Sequence, residues 1–136
     1  VKKILPGKNS RKNIEQQIDR VFAEENLPPL PPTKTLACVG GSARAALKLA
    51  RSYFELEAGC NKIPVKKAAE LFAFLSEGGK DAIRLILKTE PERIHTILPG
   101  SMILQKIITL SGAEEIQVSQ YGVREGYLCQ RIQTNL

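Results

Sequence analysis

The stretch Cys38-Val39-Gly40-Gly41-Ser42-Ala43-Arg44 joins a short β-rich segment to a strongly helical one. Residues 34–39 contain Thr, Leu, Cys and Val, which favour a strand, and residues 43–51 are rich in Ala, Leu, Lys and Arg, which favour a helix. A strand that turns into a helix through Gly-Gly-Ser exposes backbone N–H groups at the positive end of the helix, where no Cβ atom blocks an anion. The bend therefore predicts a phosphate or nucleotide site, although the same pattern is also typical of a plain tight turn.

The composition limits the class of protein. The chain has 136 residues, the size of one domain, and its hydrophobic content of 43% is enough for a packed core. Its net charge of +6 suits an anionic partner. Cys38, Cys60 and Cys129 have no Cys-x-x-Cys spacing, so we expect reduced thiols in a cytoplasmic protein. There is no run of about 18 apolar residues, so no membrane span is expected, and the missing initiator Met predicts a piece of a longer protein.

Apolar residues recur at helical spacing over most of the chain and at strand spacing in a few short segments. Strands separated by helices indicate parallel pairing and an α/β fold. The apolar run at 35–39 predicts a central strand covered on both faces, and Pro99-Gly100 predicts a break between two helices. The prolines of 27–32 predict an extended connector, for which a proline-rich ligand is the alternative. We expect strands at 1–5, 35–39 and 115–119, an extended pair at 63–64, and helices at about 10–25, 42–54, 65–77, 80–88, 90–98, 101–110 and 125–133.

A second glycine-containing bend, Gly122–Gly126, follows the predicted strand at 115–119. In an open parallel sheet the carboxyl ends of the strands share one edge, where ligands bind, so we expect this bend to lie beside the Gly40–Arg44 bend. Arg124 is a candidate phosphate ligand, and Glu125 is a candidate cap of the last helix or a partner that orients Arg124. The alternative is an internal Arg–Glu pair that only fixes the turn.

Other residues that often carry chemistry lack suitable partners in the sequence. Ser42 has no general base nearby, so we expect it to cap the helix rather than act as a nucleophile. His95 is the only histidine, and we expect a structural side chain on a helix rather than a metal ligand. The basic doublets have no interleaved aromatic residues, so they predict solvated faces rather than a nucleic-acid surface.

Three segments resemble motifs of the exopolyphosphatase / guanosine pentaphosphate phosphohydrolase (Ppx/GppA) family. Val39-Gly-Gly-Ser-Ala-Arg-Ala-Ala-Leu-Lys-Leu49 is similar to the family's Gly-Gly-Thr-x-Arg-x-Leu-Ala-x-Leu. Pro91-Glu-Arg-Ile-His-Thr-Ile-Leu-Pro-Gly-Ser-Met-Ile-Leu104 is similar to Arg-Ala-Asp-x-Ile-x-x-Gly-x-x-Ile-Leu. Ile116-Gln-Val-Ser-Gln-Tyr-Gly-Val-Arg-Glu-Gly126 is similar to Val-Ser-x-x-Gly-Leu-Arg-Glu-Gly. The order and spacing of these segments match the family over residues 34–132.

The resemblance implies a fold and a place in a larger protein. Members of the family belong to the actin-like ATPase superfamily and have two ribonuclease-H-like domains, with the active site in the cleft between them. Residues 1–136 would then be a single, partial second domain: an incomplete ribonuclease-H-like α/β domain with a small, mostly parallel sheet. The Gly40–Arg44 bend would correspond to the superfamily's adenosine motif. The helix that contains Gly100 would correspond to the second connecting helix near the interdomain hinge.

The resemblance also implies an activity for the parent protein, namely hydrolysis of phosphoanhydride bonds in inorganic polyphosphate or guanosine pentaphosphate with Mg²⁺ and an activated water. The family's Asp-x-Gly-Ser-Asn and Gly-Gly-Gly-Ser-x-Glu loops are not in this sequence. We therefore expect no catalytic residue and no bound metal in this chain, which should be inactive without the missing first domain. The expected phosphate or nucleotide contacts are Gly40, Gly41, Ser42, Arg44 and Arg124. The expected structural or hinge residues are Arg93, Gly100, Gly122, Glu125 and Gly126.

Two departures from the family pattern leave an alternative open. His95 stands where the family usually has Asp, and Ser42 replaces Thr but keeps the hydroxyl. The alternative to an enzyme fragment is a non-catalytic regulatory or scaffold module that kept the fold. Because most of the antiparallel strands that begin such a domain are absent, we expect the exposed sheet edge to be covered by a second copy, as a homodimer, or by residues 1–8.

Overall fold

The computed structural model describes residues 8–26 and 28–135, and it has the expected α/β architecture. Within these residues, six α-helices, one 3-10 turn and three short strands follow one another. The helices are α1 (Lys8–Glu24), α2 (Gly41–Tyr53), α3 (Val65–Glu77), α4 (Lys80–Thr89), α5 (Ile97–Ser111) and α6 (Val123–Thr134). The strands are β1 (Thr35–Cys38), β2 (Lys62–Pro64) and β3 (Glu115–Val118), and the 3-10 turn is Pro91–Arg93. The predicted strand at 1–5 lies outside the described residues.

The three strands form one mixed sheet in the order β1-β3-β2. β1 runs parallel to β3 and β2 runs antiparallel to it, with Leu36 and Ile63 both paired with Ile116. The central strand among the described residues is therefore β3, and the prediction that the apolar run at 35–39 is central is wrong for this sheet. Cys38 and its register partner Val118 are buried, whereas Ala37, on the opposite face of the edge strand, is exposed.

The core lies between one face of the sheet and helices α2, α3, α4 and α5. Ile63 and Ile116 point into it from adjacent strands, and both are buried. Leu49 of α2 and Ile86 of α4 meet them with 0% exposure. Burial of each such side chain is worth about 1.5–3 kcal/mol relative to leaving it in water. Cys38 is buried on the same face, as predicted for a small core residue, and burial raises the pKa of its thiol.

The predicted break at Pro99-Gly100 is wrong, because α5 begins at Ile97 and continues through both residues. Pro99 is the third residue of this helix. The N–H groups of the first turn have no partner within the helix, so the missing N–H of proline removes no hydrogen bond there. The helical pattern continues at once, since the Gly100 N–H donates to the Thr96 carbonyl at 3.0 Å.

The segment before α5 is less helical than predicted. Instead of a helix at 90–98, the chain forms the 3-10 turn Pro91–Arg93, followed by an irregular turn. Its hydrogen bonds span three residues rather than four, as in the bond from the Thr96 N–H to the Arg93 carbonyl at 3.0 Å. His95 therefore lies in an exposed turn and not on a helix.

Two helices lie outside the core. α1 contacts α5 through Lys106, whose ammonium pairs with Asp19 and lies 5.7 Å from the centroid of the Phe22 ring. α6 contributes no buried residue. The connector over 28–32 is exposed and non-helical, as the prolines predict. Over the described residues, no helix combines the length and the apolar character that crossing a membrane requires.

Candidate functional site

The two glycine-containing bends leave the same edge of the sheet. β1 ends at Cys38 and β3 ends at Val118, and these two residues are partners in the parallel register. The Ser119 N–H then donates to the Cys38 carbonyl at 2.9 Å, which holds the two strand ends together. The Gly40–Arg44 and Gly122–Gly126 bends follow directly, so the structure brings together the two segments that the sequence predicted to lie side by side. We call this edge of the sheet, with its two bends, the rim.

Gly40 sets the geometry of the first bend. Its φ of 113° and ψ of 174° lie in a region that essentially only glycine adopts. The Arg44 N–H donates to the Gly40 carbonyl at 3.1 Å, so Gly40 is the residue that precedes α2. The prediction that Ser42 caps this helix is wrong: no side chain among the described residues caps α2, and Ser42 is exposed as the second helical residue. The N–H groups at this helix start therefore have no side-chain acceptor, and the helix dipole favours an anion there.

Arg93 and Gly100 connect the second motif segment to this bend. The Arg93 guanidinium lies over Gly41, where an added Cβ atom would stand 2.8 Å from Arg93 Cζ. A side chain at position 41 would therefore displace the guanidinium. Gly100 faces Ser42 in a similar way, because a Cβ atom at Gly100 would stand 3.1 Å from Ser42 Oγ. Arg93 and Gly100 thus lie directly against the Gly40–Arg44 bend, while their role at a hinge stays a prediction.

Glu125 organises the second bend. Its Oε2 accepts a hydrogen bond from the Gly122 N–H at 2.8 Å, at the start of α6. The pKa of Glu125 is lowered, first by the hydrogen bond from its own backbone N–H, then by that from Gly122, and further by the positive charges of Arg124 and Arg44. Of the roles considered for Glu125, the geometry favours the helix cap. A Cβ atom at Gly126 would meet nothing within 4 Å, so no close contact requires glycine there.

Arg44 links the two bends. It begins in the first turn of α2, and its Nη1 lies 4.0 Å from the position that a Cβ atom at Gly122 would take. The same guanidinium contributes to the lowered pKa of Glu125. Arg44 therefore spans the short distance from the first motif segment to the third, and all three segments meet at this rim.

Three arginines give the rim its positive charge. Arg44 and Arg93 are partly exposed and Arg124 is exposed. In the part of the chain that the structure describes, no carboxylate oxygen lies within 4.0 Å of any of these guanidinium groups. Guanidinium groups without a close carboxylate are suited to bidentate contacts with phosphate oxygens. The arrangement can therefore hold an anion, and the described segments contain no group of three or more His, Cys, Asp or Glu residues that could hold a metal ion.

Sequence reasoning missed two further cations beside this rim. Lys48 and Arg51 follow Arg44 by four and seven residues on α2, so all three lie on one face of the helix. This regular spacing of basic residues is the signal that would have identified them. Both line a groove that is also lined by Arg44.

Solved structures share this arrangement of elements. No protein-family model matches the chain, and no curated protein matches it significantly. A crystal structure of the Aquifex aeolicus member of the Ppx/GppA family matches it with a TM-score of 0.70 at 18% identity. The chain has the fold of Ppx/GppA proteins. A second structure, of the Aquifex aeolicus PPX-GPPA enzyme, matches with a TM-score of 0.65 at 18% identity. A structure of the type II variant of the Aquifex aeolicus Ppx/GppA phosphatase matches with a TM-score of 0.55 at 21% identity.

The Ppx/GppA likeness confirms the expected actin-like, ribonuclease-H-like α/β fold. The three matches cover 96%, 90% and 89% of this chain, but only 42%, 41% and 39% of the solved chains. The chain thus spans less than half the length of the Ppx/GppA structures that it matches. Because the identities are low, the likeness establishes the fold, and the substrate, the metal and the domain that this chain represents stay predictions.

Proposed function

We propose that the chain is part of a Ppx/GppA-type phosphohydrolase and forms one wall of a cleft that binds inorganic polyphosphate or guanosine pentaphosphate. It would correspond to the later part of the second domain. The observation that carries this proposal is the meeting of three separate motif segments at one rim, where Arg93 lies on Gly41 and Arg44 reaches Gly122. Segments that are far apart in sequence and meet at one positively charged edge are best explained by a shared anionic ligand.

The chain's part in the reaction is to bind and orient phosphate groups. The N–H groups at the start of α2 point toward the position where an anion is favoured, and the guanidinium groups of Arg44, Arg93 and Arg124 neutralise phosphate oxygens. Fixing the phosphate chain in this way places the bond to be broken and lowers the entropic part of the barrier. Positioning and charge neutralisation are the main contributions that proteins make to phosphoryl transfer.

In this proposal, the base that activates water lies outside the described residues of this chain. Glu125 is the carboxylate at the rim, and it is held by the Gly122 N–H with a pKa below its usual range. A carboxylate with a lowered pKa is a weak general base. The base must therefore come from another part of the parent protein, across the cleft.

The resemblance implies Mg²⁺ for the parent protein, and the described residues of this chain offer no cluster of three or more ligating side chains for it. Magnesium is commonly bound by one or two carboxylates together with the substrate phosphates. We therefore assign any Mg²⁺ requirement to the rest of the parent protein and to the substrate.

Phosphate release from polyphosphate and from guanosine pentaphosphate tests the proposal. With Mg²⁺, the full-length protein should hydrolyse at least one of the two, and the 136-residue chain should hydrolyse neither. Arg44→Gln in the full-length protein should lower kcat/KM by roughly 10- to 100-fold, as expected for the loss of a charged hydrogen bond in the transition state. Lys66→Gln, at an exposed position of α3, is the matched control and should leave kcat/KM unchanged.

Two outcomes would overturn the proposal. Hydrolysis by the isolated chain, after removal of contaminating phosphatases, would show that the chain holds its own base. A full-length protein that binds these ligands without hydrolysing them would support the alternative, a regulatory or scaffold module that kept the fold.

A further inference from the structure

The turn that carries Arg93 is attached to α2 at two points. At one point, the Lys48 ammonium pairs with the Glu90 carboxylate at 2.9 Å. At the other, the Arg93 guanidinium lies over Gly41. Gly41 and Lys48 are seven residues apart on α2, so they lie on the same face of the helix, about 10 Å apart along its axis. The turn therefore runs beside α2 from the ion pair to the Gly40–Arg44 bend.

The link between Glu90 and Arg93 is short and stiff. The Arg93 N–H donates to the Glu90 carbonyl at 3.1 Å, which closes the start of the 3-10 turn. Pro91, directly after Glu90, has a fixed φ and also restricts the residue before it. A displacement of Glu90 would therefore be passed on to the backbone of Arg93.

The ion pair is the charged anchor of this turn. The Glu90 side chain is only 14% exposed, whereas that of Lys48 is 58% exposed. A carboxylate that is largely removed from water depends on its cation, because an unpaired buried charge is costly. Arg93 has no such anchor, since no carboxylate oxygen in the described segments lies within 4.0 Å of its guanidinium. The place of this guanidinium over Gly41 therefore depends on the turn that carries it.

We propose that Lys48 and Glu90 are positioning residues that keep the Arg93 guanidinium at the rim, ready to receive an anion. The inference rests on the proposed function for the role of the rim, but neither Lys48 nor Glu90 has to touch the anion. Glu90 is a negative charge near a positively charged rim, so by charge alone its removal would strengthen anion binding. Positioning requires the opposite sign, because loss of the pair frees the turn and lets Arg93 leave Gly41 part of the time.

Pyrophosphate binding to the 136-residue chain, measured by calorimetry, tests this sign. Arg93→Gln should weaken binding about tenfold, and Glu90→Ala should weaken it about three- to tenfold, because Arg93 is then misplaced only part of the time. Glu92→Ala is the matched control, because it removes the same charge from an exposed position of the same turn, and it should not weaken binding. Adding Glu90→Ala to Arg93→Gln should cause no further loss.

The order of the Arg93 side chain in the ligand-free chain is the second measurement. In nitrogen-15 NMR, the heteronuclear NOE of the Arg93 Nε–H group should fall in Glu90→Ala and keep its parent value in Glu92→Ala. Exchanging the pair, by Lys48→Glu together with Glu90→Lys, should restore both the NOE and the pyrophosphate affinity. This exchange also guards against a folding artefact, because it keeps an ion pair at the same place.

Three results would overturn the inference: pyrophosphate affinity in Glu90→Ala that equals or exceeds that in Glu92→Ala, an unchanged Arg93 NOE, or losses that add in the double variant. Failure of the proposed function gives a different result. If pyrophosphate binds neither the parent chain nor any variant, the rim proposal fails. The NOE alone then decides whether Lys48 and Glu90 position Arg93.

Discussion

Gly40→Ala tests whether the first bend has the geometry that exposes its N–H groups. Gly40 has φ 113° and ψ 174°, a region in which other residues cost about 1–3 kcal/mol. No atom lies within 4 Å of the position that a new Cβ atom would take, so the cost comes from backbone strain and not from a clash. With an unfolding entropy of about 2.1 cal/mol/K per residue, each 1 kcal/mol corresponds to about 3.5 °C for a chain of 136 residues. We therefore expect Tm to fall by about 4–10 °C.

The assay is thermal unfolding followed by circular dichroism, with urea denaturation as a second measure of the free energy of unfolding. Gly59→Ala is the matched control, because Gly59 has neither a positive φ nor an atom within 4 Å of the new Cβ position. Its Tm should stay within about 1 °C of the parent chain. Equal melting of the two variants would refute the reasoning, because it would mean that Gly40 does not hold this backbone conformation in solution.

Three further changes test other parts of the account. Gly41→Ala should leave Tm nearly unchanged, because only the flexible end of Arg93 has to move, but it should weaken orthophosphate binding several-fold in calorimetry; full affinity would contradict the placement of Arg93 at the rim. Leu49→Ala should lower the free energy of unfolding by about 2–5 kcal/mol in urea, because Leu49 is 0% exposed, and a loss below about 1 kcal/mol would argue against the described core. The carboxyl carbon of Glu125 should titrate in NMR below its ordinary pKa, because its own N–H and the Gly122 N–H donate to the ionised form. Since this pKa is lower in the folded chain, the stabilisation is present above the unfolded pKa and is lost as the pH falls through the folded pKa. Glu125→Gln should remove that pH dependence, and an unshifted titration would count against the cap.

The rim could be predicted from the sequence, because its position follows from two local turn signals and from one rule about parallel strands. Each bend follows a strand and precedes a helix, and neighbouring parallel strands end at the same edge of a sheet. The contact of Arg93 with Gly41 depends instead on how the turn before α5 packs against α2. Only the family resemblance drew attention to Arg93, since neither hydrophobic spacing nor a turn signal predicts a contact across so many residues.

The errors in the predicted fold have a common cause, because short segments contain too few residues for a clear hydrophobic pattern. β2 has three residues and includes Pro64, so the sequence indicated only an extended pair there and gave no sign of its antiparallel pairing with β3. The apolar run at 35–39 was compatible with a buried strand, but hydrophobic pattern alone does not tell which strand lies at an edge. Pro99 was interpreted as a break because its effect depends on its place in the helix, which only the start of α5 at Ile97 settles.

The most direct test of the central claim is an NMR titration of the nitrogen-15-labelled chain with pyrophosphate, in which the backbone amide signals of both bends are followed. The account predicts that the signals of Gly41, Ser42 and Gly122 shift together and fit one dissociation constant below about 10 mM. Shifts confined to one bend, or no shift in either bend up to about 10 mM, would contradict the claim that the two bends form a single anion site.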